Sequence, residues 1–187
     1  KPDSDRLEIL CVGRLVPAKG QHILLKACAM LFRQGLEFHL TYVGDGRDRA
    51  SLEQKTAGYG IEDRVTFTGA LGQDEVIKHY DKAGIFVLAS FAEGLPVVLM
   101  EAMAKGIACV STRITGIPEL IEDGVDGLLV PPSDVEGLAE AIKRLVNDPD
   151  LCTRLGARAR QKVAAFYDLE ANCAEMADFF NNLVKDI

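Results

Sequence analysis

The sequence predicts an α/β fold: a doubly wound parallel sheet of six strands with helices on both faces, followed by an all-helical carboxyl-terminal segment. Two observations support this fold class. Six short apolar runs rich in Val, Ile and Leu alternate with longer amphipathic runs as far as Pro132, and beyond this residue the periodicity is helical only. Strands joined by helices form right-handed crossovers, so we expect these apolar strands to lie in a parallel sheet covered on both sides.

The elements can be assigned in order along the chain. The predicted strands, each a short apolar run, are 7–13, 38–44, 64–69, 84–90, 107–112 and 126–132. The predicted helices, each with apolar residues three to four positions apart, are 23–31, 47–58, 73–83, one from 97, 135–147, 149–166 and 168–184. Asp134 and Asp168 suit N-cap positions, and Pro149 suits the first turn of a helix. Ligands of such sheets bind at the carboxyl ends of the strands, so the loops that lead into helices are the candidate sites.

Length and composition limit the number of domains and the classes of partner. The chain has 187 residues, of which 48% are hydrophobic, which is enough for one domain with a sizeable core. We expect a linker remnant at 1–6, a domain at 7–166 and a terminal helix within 167–187. The net charge of -7 disfavours nucleic acid and anionic membranes as general partners, because both attract basic surfaces. No apolar run reaches the roughly 18 residues that a membrane span requires.

The cysteines and the acidic residues give no metal-binding pattern. Five cysteines are scattered along the chain without a Cys-x-x-Cys pair or a nearby histidine at ligand spacing, at positions Cys11, Cys28, Cys109, Cys152 and Cys173. We interpret them as reduced core thiols of a cytoplasmic protein. The Asp-x-Asp at 148–150 lies between two predicted helices, where N-capping by Asp148 is the favoured role. We therefore expect no metal site.

The first candidate site is the loop VGRLVPAKG at 12–20, between the first strand and the first helix. It brings Arg14 and Lys19 to a helix amino terminus, whose amides and dipole also attract anions. It is not a Walker A loop, because Lys19 precedes Gly20 and no Ser or Thr follows. The alternative is that both cations are solvated surface charges.

The second candidate site is the segment SFAEGLPVVLMEAMAKG at 90–106. Gly94 lets the backbone approach a ligand, and the amides that follow Glu93 at the start of the helix can bind an anion. Glu101, in the second turn of that helix, can accept two hydrogen bonds from a vicinal diol such as a ribose. Eight residues of helix span about 12 Å, more than the roughly 5 to 9.5 Å between glycosidase carboxylates. The spacing favours contacts to two parts of one extended ligand, although each glutamate alone could be a solvated residue.

Three segments together carry a family resemblance: GRLVPAKG at 13–20, EGLPVVLMEAMAKG at 93–106 and TGIPELIEDGVDGLLVPPSD at 115–134. In this order and at these intervals, they resemble the carboxyl-terminal domain of glycosyltransferase family 4, retaining enzymes of the GT-B fold. The most specific element is the pair of glutamates separated by seven residues, with a Gly-Leu-Pro turn between them. The resemblance covers essentially the whole chain and implies a Rossmann-like half of a GT-B fold.

The resemblance implies a role for each candidate residue. Arg14 and Lys19 would hold the diphosphate of a nucleotide sugar, Glu93 would contact hydroxyls of the transferred sugar, and Glu101 would bind the ribose. Donor sugar and phosphate would also be bound by a set of backbone amides, those of Gly94, Leu95, Val97 and Val98. The donor would be a UDP-, GDP- or ADP-linked sugar, with no metal and no other cofactor. Domain 7–166 would then be a nucleotide-sugar donor-binding domain.

The same resemblance implies partners and a setting. Acceptor residues would lie on an amino-terminal domain that is absent from these 187 residues, so the fragment alone is expected to be inactive. The full enzyme would be cytoplasmic, would act in polysaccharide, lipopolysaccharide or glycolipid synthesis, and could associate peripherally with membranes. Two alternatives remain open: another GT-B enzyme such as a nucleotide-sugar epimerase, and a non-catalytic nucleotide-sugar-binding module.

The last predicted helix carries an apolar stripe at helical spacing, formed by Leu169, Cys173, Met176, Phe179, Phe180 and Leu183. In the family that the chain resembles, this segment packs on the amino-terminal domain. Without that domain, the stripe predicts self-association of the chain or high mobility of the helix, because large exposed apolar patches are rare on monomers. The alternative is that the helix docks on its own domain.

Overall fold

The computed structural model describes residues 7–185, apart from the side chains at 180 and 182–185. Its strands are β1 (Leu7–Val12), β2 (Phe38–Val43), β3 (Val65–Phe67), β4 (Ile85–Leu88), β5 (Ala108–Thr112) and β6 (Leu128–Val130). They form one six-stranded sheet in the order β3-β2-β1-β4-β5-β6, with every neighbouring pair parallel. The predicted sheet is confirmed. The predicted linker at 1–6 lies outside the described residues.

The helices are α1 (Gln21–Arg33), α2 (Arg49–Tyr59), α3 (Gln73–Lys82), α4 (Val97–Ala104), α5 (Ile117–Leu120), α6 (Val135–Asn147), α7 (Pro149–Phe166) and α8 (Leu169–Lys185). Short 3-10 turns occupy Pro17–Lys19 and Glu62–Arg64. The predicted caps are confirmed, since the carboxylates of Asp134, Asp148 and Asp168 each accept a hydrogen bond from a backbone amide three residues on. Helix α5 was not predicted.

Two apolar layers enclose the sheet. Alternate residues of β1 point to opposite faces, so Ile9 and Cys11 join one layer while Leu10 and Val12 join the other. Helices α1, α2 and α6 cover the first face, α3, α4 and α5 cover the second, and α7 contributes to both. The prediction of helices on both faces is therefore confirmed.

The cysteines divide between core and surface. Cys11, Cys28 and Cys109 are buried, and burial raises the pKa of the Cys11 thiol to about 12. Cys152 is half-buried, whereas Cys173 is exposed on α8. All five are free thiols. The interpretation as core thiols is wrong for Cys173, because α8 does not pack on the sheet.

Helix α8 exposes the described large apolar side chains of its stripe. Leu169, Met176 and Phe179 are 76%, 62% and 60% exposed. Over the described side chains of this helix, the alternative in which α8 docks on its own domain is wrong. Neither α8 nor any other helix within residues 7–185 is both long and apolar enough to cross a bilayer.

Candidate functional site

The order of strands creates a switch point between β1 and β4. From β1 the chain proceeds outward to β2 and β3, and from β4 it proceeds in the opposite direction to β5 and β6. In open α/β sheets, ligands bind in the crevice at the carboxyl ends of the two strands where the order reverses. The loops after β1 and β4 are the two loops selected from the sequence, so the fold brings both to this crevice.

A close approach of the backbone holds these two loops together. The amide of Phe91 donates to the carbonyl oxygen of Ala18 over 2.8 Å. Gly20 has a φ of 63°, and a Cβ at this position would lie 1.9 Å from the carbonyl oxygen of Ala89. Only glycine fits both the backbone conformation and the contact. This contact places Lys19 next to the loop after β4.

Lys19 and Glu93 form an ion pair at the crevice. The Lys19 Nζ donates to Glu93 Oε1 over 2.7 Å and to Oε2 over 2.8 Å, and the Ser90 hydroxyl donates to Oε1 over 2.6 Å. The Glu93 side chain is 8% exposed and that of Lys19 is 24% exposed. Both residues were predicted to contact the donor, one through phosphate and one through sugar. In the structure they also neutralise each other.

Arg14 is the second cation of the crevice. Its side chain is exposed and makes no ion pair with any residue in 7–185. Its carbonyl oxygen accepts a 2.8 Å hydrogen bond from the Gln21 side chain, which is buried and thereby fixes the backbone of the loop. The guanidinium is therefore free to bind an anion from a fixed main-chain position.

The start of α4 supplies backbone donors. The amides of Gly94, Leu95, Val97 and Val98 donate no hydrogen bond within the described part of the chain. Helix α4 begins at Val97, immediately after Pro96, as predicted from the sequence. Its first amides have no partner inside the helix, which makes them available to an anion.

The loop after β5 supports the loop that carries Glu93. Thr112 Oγ1 donates to the Ser90 carbonyl oxygen over 2.6 Å, and Thr115 Oγ1 donates to the Glu93 carbonyl oxygen. A Cβ at Gly116 would lie 2.5 Å from the Gly94 carbonyl oxygen. The carbonyl oxygens of Ser90 and Glu93 thus accept hydrogen bonds from the protein, whereas the amides of Gly94 and Leu95 donate none within the described residues. No sequence signal predicts these contacts, apart from the Thr-Gly pair at 115–116 after a strand.

Glu101 is held by helix α3. Its Oε1 accepts a 2.9 Å hydrogen bond from Gln73 Nε2, and its Oε2 accepts one of 2.9 Å from the Tyr80 hydroxyl. Burial, and after it the hydrogen bond to Glu101, raises the pKa of the Tyr80 hydroxyl, which therefore stays protonated as a donor. Sequence reasoning missed Gln73, Tyr80 and Ser90, because their contacts depend on tertiary packing. Glu101 is not a plainly solvated helix residue.

Two apolar side chains are exposed beside the crevice. Leu95 and Val97 are large apolar residues that are 45% and 62% exposed at its rim. A separate groove of about 640 Å³ lies at the opposite edge of the sheet, beside Gly84 and Ala108, and none of the predicted site residues lines it. Within residues 7–185, no group of three or more His, Cys, Asp or Glu side chains is placed to hold a metal ion.

Fold and site together define the class of the chain: an open α/β domain whose switch point presents cations, free amides and two fixed carboxylates to a ligand. Comparison with known proteins then gives the family. Residues 1–162 match the family described as "Glycosyl transferases group 1". The chain belongs to this family, and its fold is that of the carboxyl-terminal half of a GT-B enzyme.

Two curated relatives illustrate the match in sequence. The chain is 37% identical over 183 residues to the amylovoran biosynthesis glycosyltransferase AmsK of Erwinia amylovora, covering 95% of this chain and 45% of the relative. It is 32% identical over 182 residues to a GDP-mannose-dependent alpha-(1-6)-phosphatidylinositol monomannoside mannosyltransferase of Mycobacterium tuberculosis, covering 94% and 47%. The chain thus spans about half the length of these relatives.

Two solved structures illustrate the match in fold. Anabaena Alr3699/HepE, in complex with UDP-glucose, superposes with a TM-score of 0.86 at 26% identity, covering 95% of this chain and 49% of that one. The C-terminal domain of the glycosyl transferase group 1 family protein LpcC from Francisella tularensis superposes with a TM-score of 0.80 at 25% identity, covering 87% of both chains.

Proposed function

We propose that this chain is the donor-binding domain of a retaining glycosyltransferase that transfers a sugar from a nucleotide-diphosphate sugar to an acceptor. The observation that carries the proposal is the arrangement at the switch point. Arg14, Lys19 and the open amides at the start of α4 lie in the loops of the crevice, where they would bind a negatively charged group, while Glu101 offers a fixed carboxylate that would bind a diol. A nucleotide sugar has a diphosphate, a ribose diol and sugar hydroxyls in one extended molecule.

The cations and amides have a chemical role as well as a binding role. When the bond between sugar and phosphate breaks, negative charge develops on the departing diphosphate. Arg14, Lys19 and the amides of Gly94, Leu95, Val97 and Val98 would stabilise this charge from preorganised positions, which is where such catalysis gains most. In this proposal the protein neutralises the diphosphate without a metal ion.

Hydrogen-bonding capacity assigns the two carboxylates to different parts of the donor. Each carboxylate oxygen has two lone pairs. Glu93 Oε1 accepts two bonds and is satisfied, but Oε2 accepts only the one from Lys19, which leaves a position for one sugar hydroxyl. Each oxygen of Glu101 accepts one bond, which leaves two positions for the two hydroxyls of a ribose.

The relatives support the class of donor and the setting. One carries GDP-mannose in its name, and one structural neighbour was solved with UDP-glucose. Amylovoran and phosphatidylinositol mannoside synthesis, named in two relatives, support a role in polysaccharide, lipopolysaccharide or glycolipid synthesis. We place the full enzyme in the cytoplasm, in peripheral contact with membranes.

In this proposal, the acceptor site lies on a domain outside this chain. The relatives are about twice as long as the chain, so we assign acceptor binding and closure of the crevice to an amino-terminal domain. The exposed rim at Leu95 and Val97 suits a surface that such a domain covers. We expect the chain alone to bind donor but not to transfer sugar.

Thermal unfolding of the chain with UDP, GDP, ADP and their sugar derivatives tests the donor. A ligand at 100 times its Kd stabilises by roughly 2.7 kcal/mol, so the correct nucleotide is expected to raise Tm above that of the other two. Absence of stabilisation by all of them would contradict the proposal.

Transfer by the full enzyme in the presence of EDTA, with the anomeric configuration of the product read by NMR, tests the metal-free and retaining parts. An inverted product would refute retention.

A further inference from the structure

Two side chains of α3 hold the glutamate that the proposed function assigns to the ribose. Gln73 is the first residue of this helix, and Tyr80 lies seven residues further on, two turns along the same face. Gln73 Nε2 donates to one oxygen of Glu101 and the Tyr80 hydroxyl donates to the other, each over 2.9 Å. The carboxylate is therefore bound at both ends by one rigid element.

The two contacts differ in rigidity. Tyr80 is 2% exposed, its ring packs against that of Phe86 at 5.9 Å between centroids, and its hydroxyl also lies 3.1 Å from the Val98 carbonyl oxygen. Gln73 is exposed. Tyr80 is thus an anchor set by the core of the domain, whereas Gln73 completes the alignment from the solvent side.

This geometry limits where the free lone pairs of Glu101 can point. A carboxylate on a helix surface ordinarily rotates about its terminal torsion. With one donor on each oxygen, the plane of the Glu101 carboxylate is fixed, and the two remaining positions are those on the side away from α3. Two acceptor positions fixed side by side match two neighbouring hydroxyl donors.

We propose that Tyr80 and Gln73 are positioning residues, which align Glu101 for a ribose diol and so make the site prefer ribonucleotides to 2′-deoxyribonucleotides. The inference rests on the proposed function. Neither side chain needs to touch the ligand. A 2′-deoxyribose has only one of the two hydroxyls. Misalignment of Glu101 therefore weakens the binding of a 2′-deoxyribonucleotide less than that of a ribonucleotide.

Isothermal calorimetry with matched ligands tests this role. UDP, GDP and ADP and their 2′-deoxy counterparts are titrated into the unsubstituted chain and into Tyr80→Phe and Gln73→Ala. Tyr80→Phe removes only the hydroxyl. We expect each substitution to reduce the ratio of deoxy to ribo Kd by about 3- to 10-fold, as expected for loss of one net hydrogen bond, through weaker ribonucleotide binding. The control is Tyr167→Phe, whose hydroxyl lies 3.4 Å from the Glu119 carbonyl oxygen, away from the site.

Several results would overturn the inference. If Tyr80 only supports the fold, ribo and deoxy affinities fall together and the ratio stays constant. Equal affinity of the unsubstituted chain for ribonucleotides and 2′-deoxyribonucleotides would also refute it. So would a double variant, Tyr80→Phe with Glu101→Gln, whose ribonucleotide Kd rises by the product of the two single effects, because a residue that acts through Glu101 has no further effect once Glu101 is replaced. These outcomes differ from failure of the proposed function, in which the unsubstituted chain binds none of the six ligands. Gln73→Ala gives an independent result if Tyr80→Phe unfolds, because residue 73 is exposed.

Discussion

Removal of the Lys19 ammonium is expected to destabilise the domain even without ligand. In Lys19→Met, the Glu93 carboxylate keeps the Ser90 hydroxyl as its donor but loses two hydrogen bonds of 2.7 and 2.8 Å and its counter-charge. The Glu93 side chain is 8% exposed, so water replaces the lost partner poorly. Methionine retains the length and apolar contacts of the lysine stem, which isolates the effect of charge.

Two known ranges guide the expected loss of free energy of unfolding. Breaking a fully buried ion pair costs about 3–5 kcal/mol, and losing a hydrogen bond to a charged group costs about 1.5–3 kcal/mol. Lys19 is 24% exposed, so solvent reaches one side of the pair and the lower range applies. For a domain of this size, 1 kcal/mol corresponds to roughly 2–4 °C in Tm. We therefore expect Lys19→Met to lower Tm by about 3–12 °C.

A double-mutant cycle with Glu93→Gln distinguishes this explanation from a general packing defect. The glutamine is neutral and its side-chain oxygen can still accept from Ser90, so it removes the uncompensated charge. We expect the double variant to be more stable than Lys19→Met alone, with a coupling free energy of about 1–3 kcal/mol from urea unfolding at constant m. Losses that add to within about 0.5 kcal/mol would refute the reasoning.

Four further predictions follow from the site and the surface. Glu101→Gln is expected to weaken nucleotide-sugar binding by about 1.5–3 kcal/mol, because the charge-assisted bonds to the ribose are lost; unchanged calorimetric affinity in the folded variant would contradict it. Arg14→Ala should weaken binding of a nucleoside diphosphate far more than that of the nucleoside, whereas equal losses would show that the phosphate site is misplaced. In urea unfolding, Gly20→Ala should lower the free energy of unfolding by at least about 1–2 kcal/mol, and Gly94→Ala by less than about 0.5 kcal/mol. Calorimetry should show that Gly94→Ala instead weakens nucleotide-sugar binding. The isolated chain should self-associate through α8 in sedimentation velocity and Phe179→Glu should be monomeric; a monomer at high concentration would refute the first expectation.

The sheet could be predicted because its pattern is local. Apolar runs that alternate with amphipathic ones define strands, helices and the parallel arrangement without knowledge of any long-range contact. The predicted strands were too long at the two edges, where 64–69 and 126–132 reduce to Val65–Phe67 and Leu128–Val130, and also in the middle of the sheet, where 84–90 reduces to Ile85–Leu88. Each edge strand pairs with one neighbour only, so its length depends on that neighbour and not on its own sequence.

The short helix α5 shows a different limit. Its four residues, Ile117–Leu120, are too few to express a helical period, and Pro118 with the surrounding glycines is equally typical of turns. Burial of Ile117 and Leu120 against the second face of the sheet fixes this turn as helix. Tertiary packing, which a single sequence does not show, decides such elements.

The site, like the fold, has a part that could be predicted from the sequence and a part that could not. Arg14, Lys19 and Glu93 could be selected because each lies in a loop between a strand and a helix, and the carboxyl ends of parallel strands lie at one edge of a sheet. Glu101 could be selected because it lies in the helix that follows one of these loops. Their mutual contacts could not be selected. Lys19 and Glu93 are 74 positions apart, and the donors of Glu101 precede it by 21 and 28 positions. Such pairs depend on how loops and helices pack over the switch point.

The glycines of the site show what the structure adds to the functional argument. In the sequence, Gly20, Gly94 and Gly116 look alike, since each lies in a loop that leads to a helix. The structure gives Gly20 and Gly116 a reason within the protein, because a Cβ at either would overlap a carbonyl oxygen of the loop after β4. A Cβ at Gly94 would meet no atom within 4 Å, and its φ is not positive. The described protein therefore places no demand for glycine at Gly94, whereas the proposed close approach of a ligand to the open amides would require it.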